Sequence, residues 1–197
     1  MKTILLSLVF VLFAKITVAQ QGLLSFDEHN KYIYYQVADA PGLPQDTLHF
    51  RGLSFLKAYY PKSKLKPLTE GKIISGENKF LVYGGISVLK HEKGEIAYEF
   101  NIEVKDQKYR FWLTGFVFTP YQRDRYGNFV PQVGIDIPLE NAITKLDKKE
   151  LDGYLDETGA FCKQFGERLK QFILSPPKKE EIIKKEESTK KVVTDKW

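Results

Sequence analysis

From Glu103 to Thr114 the chain alternates with a period of two: Val104, Tyr109, Phe111 and Leu113 fall on one side of an extended backbone, and Glu103, Arg110, Trp112 and Thr114 on the other. Asp106-Gln107 interrupts the alternation, so the stretch reads as a hairpin with a two-residue turn. With Lys105 opposite Lys108, Val104 meets Tyr109, Ile102 meets Phe111, Phe100 meets Leu113, Tyr98 meets Gly115 and Ile96 meets Val117. That is an almost unbroken core face, in which Gly115 leaves room for the Tyr98 ring. The reverse face pairs Glu103 with Arg110, Asn101 with Trp112, Glu99 with Thr114, Ala97 with Phe116 and Glu95 with Phe118. It is polar near the turn and aromatic farther away.

The flanking segments follow the same logic. Residues 31–38, KYIYYQVA, read as a strand, and PGLPQ ends it. Asp46 is placed to cap a helix over T47-LHFRGLSFLKAYY, on which Leu48, Gly52, Phe55, Leu56 and Tyr59 share one face that Phe50 and Leu53 widen. Gly52 costs such a helix about 1 kcal/mol, so either the helix lies close to the sheet there or the glycine is merely tolerated. Four strands are expected at 65–76, 79–89, 95–105 and 108–118, joined at Gly76-Glu77-Asn78, His91-Glu92-Lys93-Gly94 and Asp106-Gln107. An irregularity is expected near Glu70-Gly71 and a bulge or bend at Gly84-Gly85.

A long polar and aromatic connection spans 119–138. A short helical segment follows, with Leu139, Ile143 and Leu146 on its apolar edge. Phe161, Cys162, Phe165, Leu169, Phe172 and Ile173 then recur at helical spacing until Pro176-Pro177. The order strand, helix, four antiparallel strands, helix predicts a single α+β domain over residues 21–175.

The ends of the chain change character. MKTILLSLVFVLFAKITVAQ has a basic start, an apolar middle and small and polar residues at its close, the layout of a secretory signal peptide over residues 1–20. Its apolar run is shorter than the roughly 20 residues of a membrane span, so no transmembrane anchor is expected after cleavage. The one cysteine, Cys162, is far from this segment. A soluble periplasmic or secreted protein that is not a lipoprotein is therefore expected, with no intrachain disulfide. Residues 176–197 alternate Glu and Lys blocks and end in Trp197. They read as a charged tail, flexible or partly helical. The net charge of +5, or +3 without Lys2 and Lys15, is mild and dispersed, so a nucleic-acid partner is not expected.

No combination of residues announces chemistry. His29, His49 and His91 are not spaced with other ligands as in a zinc site, no serine lies in a hydrolase motif, and the glycines form no phosphate loop. Asp124 and Asn128 in RDRYGN lack the other oxygen ligands of a calcium loop and read as a turn. Cys162 sits on the apolar stripe of its helix and reads as a core thiol. Glu95, Glu99 and Glu103 share a strand face and read as solvent-facing acids. Neither a metal, a cofactor nor a catalytic residue is expected.

The run G94-EIAYEFNIEVKDQKYRFWLTGF116 resembles the most recognisable segment of exported Bacteroidetes proteins in the domain-of-unknown-function family numbered 4468. D46-TLHFRGLSFLKAYY and K72-IISG resemble their counterparts there, and the similarity covers roughly residues 30–175. The resemblance implies a TATA-binding-protein-like (TBP-like) fold and export, and it implies no activity. Many relatives carry Asp-Gly where this chain has Asp106-Gln107, a departure from an ideal type I′ turn.

These readings favour a non-enzymatic protein-interaction or binding module of the cell envelope. Trp112, Phe116, Phe118, Tyr121 and Tyr126 are its candidate contact surface, unless the 119–138 connection covers them. The alternatives are a small-ligand-binding protein with a pocket between sheet and helix, or an enzyme whose site gathers residues such as Glu99 or a histidine with Arg110.

Overall fold

The computed structural model describes residues 22–66, 72–84 and 91–175. The expected leader over residues 1–20, the expected tail over 176–197, the irregularity expected near Glu70-Gly71, and Gly85 lie outside the described residues. In chain order the elements are β1 (Ser25–Phe26), β2 (Tyr32–Asp39), α1 (Gln45–Tyr59), β3 (Lys64–Leu65), β4 (Ile73–Gly84), β5 (His91–Lys105) and β6 (Lys108–Arg123). β7 (Phe129–Pro131), β8 (Ile137–Pro138), a 3-10 helix (Leu139–Thr144) and α2 (Lys148–Leu174) follow. The strands form one antiparallel sheet in the order β1-β2-β6-β5-β4-β3, and β7 and β8 both pair with β6.

Both α-helices lie on one face of this sheet. Gly52 lets α1 descend, since a Cβ there would stand 2.8 Å from Ile74 Cδ1. The space between layers is filled with rings: Phe55 packs edge-on against Phe165 and Phe172, while Phe161 stacks on Phe80 with centroids 4.1 Å apart. Cys162 is fully buried among them, and burial pushes its thiol pKa up, as expected of a core thiol. Among the described residues no helix is long and apolar enough to cross a membrane.

Two expected joints are strand instead. Gly76-Glu77-Asn78 lies inside β4, which pairs with β5 without interruption from Ile73 to Val82, and His91-Glu92-Lys93-Gly94 begins β5. The glycines serve close approach rather than turning. A Cβ at Gly76 would be 2.6 Å from both the Lys64 carbonyl oxygen and the Phe100 ring, and one at Gly94 would be 2.4 Å from the Phe118 ring. Of the strand expected at 65–76, Leu65 falls in β3 and Ile73–Gly76 fall in β4.

The helices begin differently from expectation. Asp46 does not cap α1; Pro44 is the N-cap residue and its ring carries no hydrogen-bond acceptor, and the Gln45 N–H instead donates to Asp106 Oδ1 in the β5–β6 turn at 2.9 Å. The same turn donates Gln107 N–H to the Leu43 carbonyl, and Ala40 N–H donates to the Gln107 carbonyl. Gln107 is left-handed at φ 60, whereas Asp106 is not, so the turn is not type I′. On α1, Phe50 is 70% exposed rather than part of the buried face.

α2 starts thirteen residues before Phe161, with Asp147 accepting from Glu150 N–H as its cap. The 3-10 helix buries Leu139 and Ala142, three residues apart, and leaves Ile143 outward.

Candidate functional site

The sheet face away from the helices is the candidate site, and a single bulge decides what it carries. Pairing along the hairpin is as expected from Lys105–Lys108 to Glu99–Thr114, then shifts so that Ala97 faces Val117 and Ile96 faces Phe118. β6 inserts one extra residue where Gly115 adopts φ 63, a left-handed conformation that favours glycine. Because side chains alternate, one inserted residue exchanges the faces of everything beyond it.

Phe116 and Phe118, expected on the reverse face, are consequently buried at 0% and 1% exposure on the helix side. They are not part of an exposed aromatic surface. Val117 takes the open face in their place. Gly115 does not accommodate the Tyr98 ring; the nearest neighbour of a Cβ there is Glu99 Cγ at 3.6 Å. Tyr154 of α2 stacks on Phe118, and Ile137 of the 119–138 connection pairs beside it.

Trp112 keeps its expected position and is half-buried on the open face. Its neighbours are Asn101 on β5 and Tyr35 on β2. The Arg110 guanidinium lies 5.6 Å from the Trp112 ring centroid and bonds Glu103 through Nε at 2.6 Å, as the predicted cross-strand pair. A hydrogen bond with Tyr35, then that with Glu103, raises the Arg110 pKa. Tyr35, Val37, Glu103, Lys105, Lys108 and Arg110 line a shallow recess of about 230 Å³ at this end. Tyr35 and Val37 are half exposed.

Beyond the bulge the open face forms a second, larger trough of about 630 Å³. Its floor includes Leu81, Glu95 and Ala97. Lys62 and Lys64 border it beside β3, and Tyr121, Phe129 and Pro131 border it on the side of β7. Glu95 is the unexpected residue. Rather than facing solvent it is 9% exposed, with Lys79 Nζ 2.8 Å from each carboxylate oxygen and Tyr121 donating its hydroxyl at 2.9 Å. A carboxylate this far from water requires such partners. Burial, and then the bond to Glu95, pushes the Tyr121 pKa up to about 12. Glu99 differs in being exposed, with Lys66 Nζ at 3.1 Å.

Tyr126 is 73% exposed at the tip of the β6–β7 turn, with Arg125 4.8 Å from its ring centroid. Asp124 accepts from the backbone N–H groups of Tyr126 and Asn128, which makes RDRYGN a turn built on an aspartate. His91 stacks on Phe129 at 5.2 Å, at the mouth of the trough. His29 is exposed beside Glu28, and His49 lies in α1. Thus Glu99, Arg110 and the histidines do not converge on one point. No group of three or more potential metal ligands occurs among the described residues.

Lys79, Leu81, Glu95 and Tyr35 went unrecognised as members of a site because each looks like ordinary alternation. A glycine inside the regular run of β6 is the signal that marks the bulge. The trough also lies on the opposite face from the expected ligand pocket between sheet and helix, where the aromatic rings pack.

A strand, a helix, a set of antiparallel strands and a closing helix, with both helices on one sheet face, define an α+β domain of TBP-like architecture. Residues 34–119 match the family described as "Domain of unknown function (DUF4468) with TBP-like fold". A DUF4468 family protein from Bacteroides ovatus is similar in structure, with a TM-score of 0.59 and 14% identity over 81% of this chain and 94% of that one. A TBP-like protein from Parabacteroides distasonis has a TM-score of 0.56 and 15% identity over 74% and 94%. Likeness at that identity establishes the fold. No curated protein matches the chain.

Proposed function

We propose that the chain is a non-enzymatic binding module of the cell envelope that engages another protein through the helix-free face of its sheet. The observation that carries this reading is the asymmetry of the sheet. One face is closed by α1 and α2, while the other presents Tyr35, Val37 and Trp112 at one end and Leu81, Tyr121 and Phe129 at the other. Grouped aromatic and aliphatic side chains interspersed with Arg and Lys suit a protein contact. The leader-like residues 1–20 support export, and residues 21–175 serve as the binding domain. Glu92, Glu95, Glu99 and Glu103 on this face disfavour a nucleic-acid backbone, so the name of the fold carries no such partner here.

Relative to the sequence reading, the contact surface loses Phe116 and Phe118 and gains Tyr35 and Leu81. Trp112 and Tyr121 stay central, with Tyr126 at the margin. A photo-crosslinking residue placed at Tyr35, Tyr121 or, as a control on the helix side, Phe50 tests the reading in the native envelope. The open-face positions are expected to trap a common protein that Phe50 does not, with the yield falling in Trp112→Ala. Crosslinks from Phe50 alone, or none from either open-face position, would remove the proposal.

A further inference from the structure

Beyond Ile33, β2 forms an edge of the sheet. β1 covers only its beginning, pairing Ser25 with Ile33 and Phe26 with Tyr32. Upstream of Ser25 the chain turns onto the helix layer, where Leu23 packs against Gly159 of α2. The backbone of β2 alternates in direction. Thr114 Oγ1 bonds the Tyr32 carbonyl and Ala40 N–H donates to the Gln107 carbonyl, so the even-numbered residues face β6, whereas the Ile33 carbonyl accepts from Ser25 Oγ on the other side. Tyr35, Val37 and Asp39 therefore direct N–H and C=O outward, and no strand pairs with them among the described residues. From Tyr32 to Ala38 this edge has no charged residue and no proline, the devices that blunt an edge against strand pairing.

We propose that β2 receives an extended segment of the protein partner as an added strand, with an acidic side chain of that segment over Lys105, Lys108 and Arg110. This rests on the proposed protein partner and names the form in which that partner is held. Strand addition draws affinity from the main chain and specificity from pockets for alternate side chains. β2 offers both. Tyr35 and Val37, half exposed, stand on the open face and border the recess of about 230 Å³. Residues of the added strand that lie beside them point to the same face, because neighbouring strands share one alternation. Tyr35 and Val37 supply the apolar contact. Tyr35 also adjoins Trp112, so the added strand is continuous with the open face.

Charge selects the occupant. The recess holds Lys105, Lys108 and Arg110 against Glu103 alone, and Glu103 is already bonded to Arg110. Lys105 and Lys108 stand opposite one another across the hairpin, a pairing of like charges that costs stability. Asp39 pairs with Lys108 on the β2 side, and with it included cations still outnumber acids. A carboxylate reaching in from the added strand relieves this excess. A basic segment would aggravate it.

Amide exchange in the isolated protein tests whether the edge is open. Tyr35 and Val37 are expected to exchange like solvent-exposed amides, between protected Tyr34, Gln36 and Ala38. Protection of Tyr35 and Val37 would mean that the same chain or a second copy covers the edge, and overturns the proposal. Proline tests strand addition itself. At position 37 it removes an outward N–H and leaves the ladder to β6 intact, which an edge strand tolerates. An unchanged circular dichroism spectrum checks this, and the exchange measurement decides independently of the variant. In the native envelope, with the photo-crosslinking residue at Tyr121, Val37→Pro is expected to lower the yield of the common protein about tenfold relative to Val37→Ala, as loss of a main-chain hydrogen bond to the added strand implies. Lys105→Glu combined with Lys108→Glu is expected to lower it as well. Equal yields from Val37→Pro and Val37→Ala overturn strand addition while leaving the protein partner in place, and an unchanged yield in the double lysine variant overturns the acidic segment. No crosslink from Tyr121 in the chain carrying no other substitution removes the partner and this inference together.

Discussion

Phe118 lies against Tyr154 on the helix side of the sheet, with ring centroids 4.3 Å apart. In a regular strand Phe118 would share a face with Trp112, six residues earlier, and would point away from the helices. The extra residue at Gly115 reconciles the two positions. It lets one strand supply Trp112 to the open face and Phe116 and Phe118 to the core.

The bulge depends on the backbone of Gly115 rather than on space around it. A Cβ there meets only Glu99, at ordinary contact distance, so the cost of Gly115→Ala is that of placing an L-residue at φ 63. A loss of about 1–2 kcal/mol in chemical denaturation is expected. Gly115→Asn should lose less, since asparagine tolerates the left-handed region best among residues with a Cβ.

The two sides of β6 should respond differently to truncation. Phe116→Ala empties a fully buried site and is expected to cost about 3–5 kcal/mol. Trp112→Ala on the open face forgoes mainly its contact with Arg110, about 1 kcal/mol. Urea titrations of the two variants side by side check the contrast.

The same contrast shows how far the sequence could be read. Period-two alternation located β5, β6 and their register from Lys105–Lys108 to Glu99–Thr114, because each step is set by a local preference for one face. It failed beyond Gly115, since parity carries no record of an inserted residue. It also treated Gly76 and Gly94 as turn signals, when distant Phe100 and Phe118 require the missing side chains. Glu95 looked like its neighbours Glu99 and Glu103. Only the fold brings Lys79 and Tyr121 to it, and the trough with them. The helix faces were legible where Leu48, Phe55, Phe165 and Leu169 recur, but the cap of α1 comes from Asp106, 61 residues beyond Gln45.

That long-range cap yields its own test. Asp106→Ala should lower stability by about 1 kcal/mol and speed hydrogen exchange of the Gln45 amide. Asp46→Ala should leave the protection of that amide unchanged, because Asp46 is not its partner. Nuclear magnetic resonance exchange rates for Gln45 distinguish the two aspartates.

Tyr109 couples the core to alkaline pH. Its ring is buried, its hydroxyl has no hydrogen-bond partner among the described residues, and burial pushes its pKa up to about 12. The folded protein thus holds this proton more tightly than the unfolded chain, whose tyrosines titrate near 10. The contribution is full below about pH 10 and is lost as pH rises through 12. Tyr109→Phe should be as stable as the unsubstituted protein or about 1 kcal/mol more stable at neutral pH, because it removes an unpaired buried hydroxyl. Thermal unfolding between pH 9 and 12 should fall less steeply in this variant.

What the open face can bind depends on which residues of β6 it carries beyond Gly115, and thiol labelling reads this directly. Val117→Cys and Phe118→Cys are compared in the folded protein, whose native Cys162 is buried. The bulged strand predicts rapid modification at position 117 and protection at position 118, with both reactive after denaturation. Rapid labelling at 118 with protection at 117 would mean a regular strand, and would return Phe116 and Phe118 to the open face.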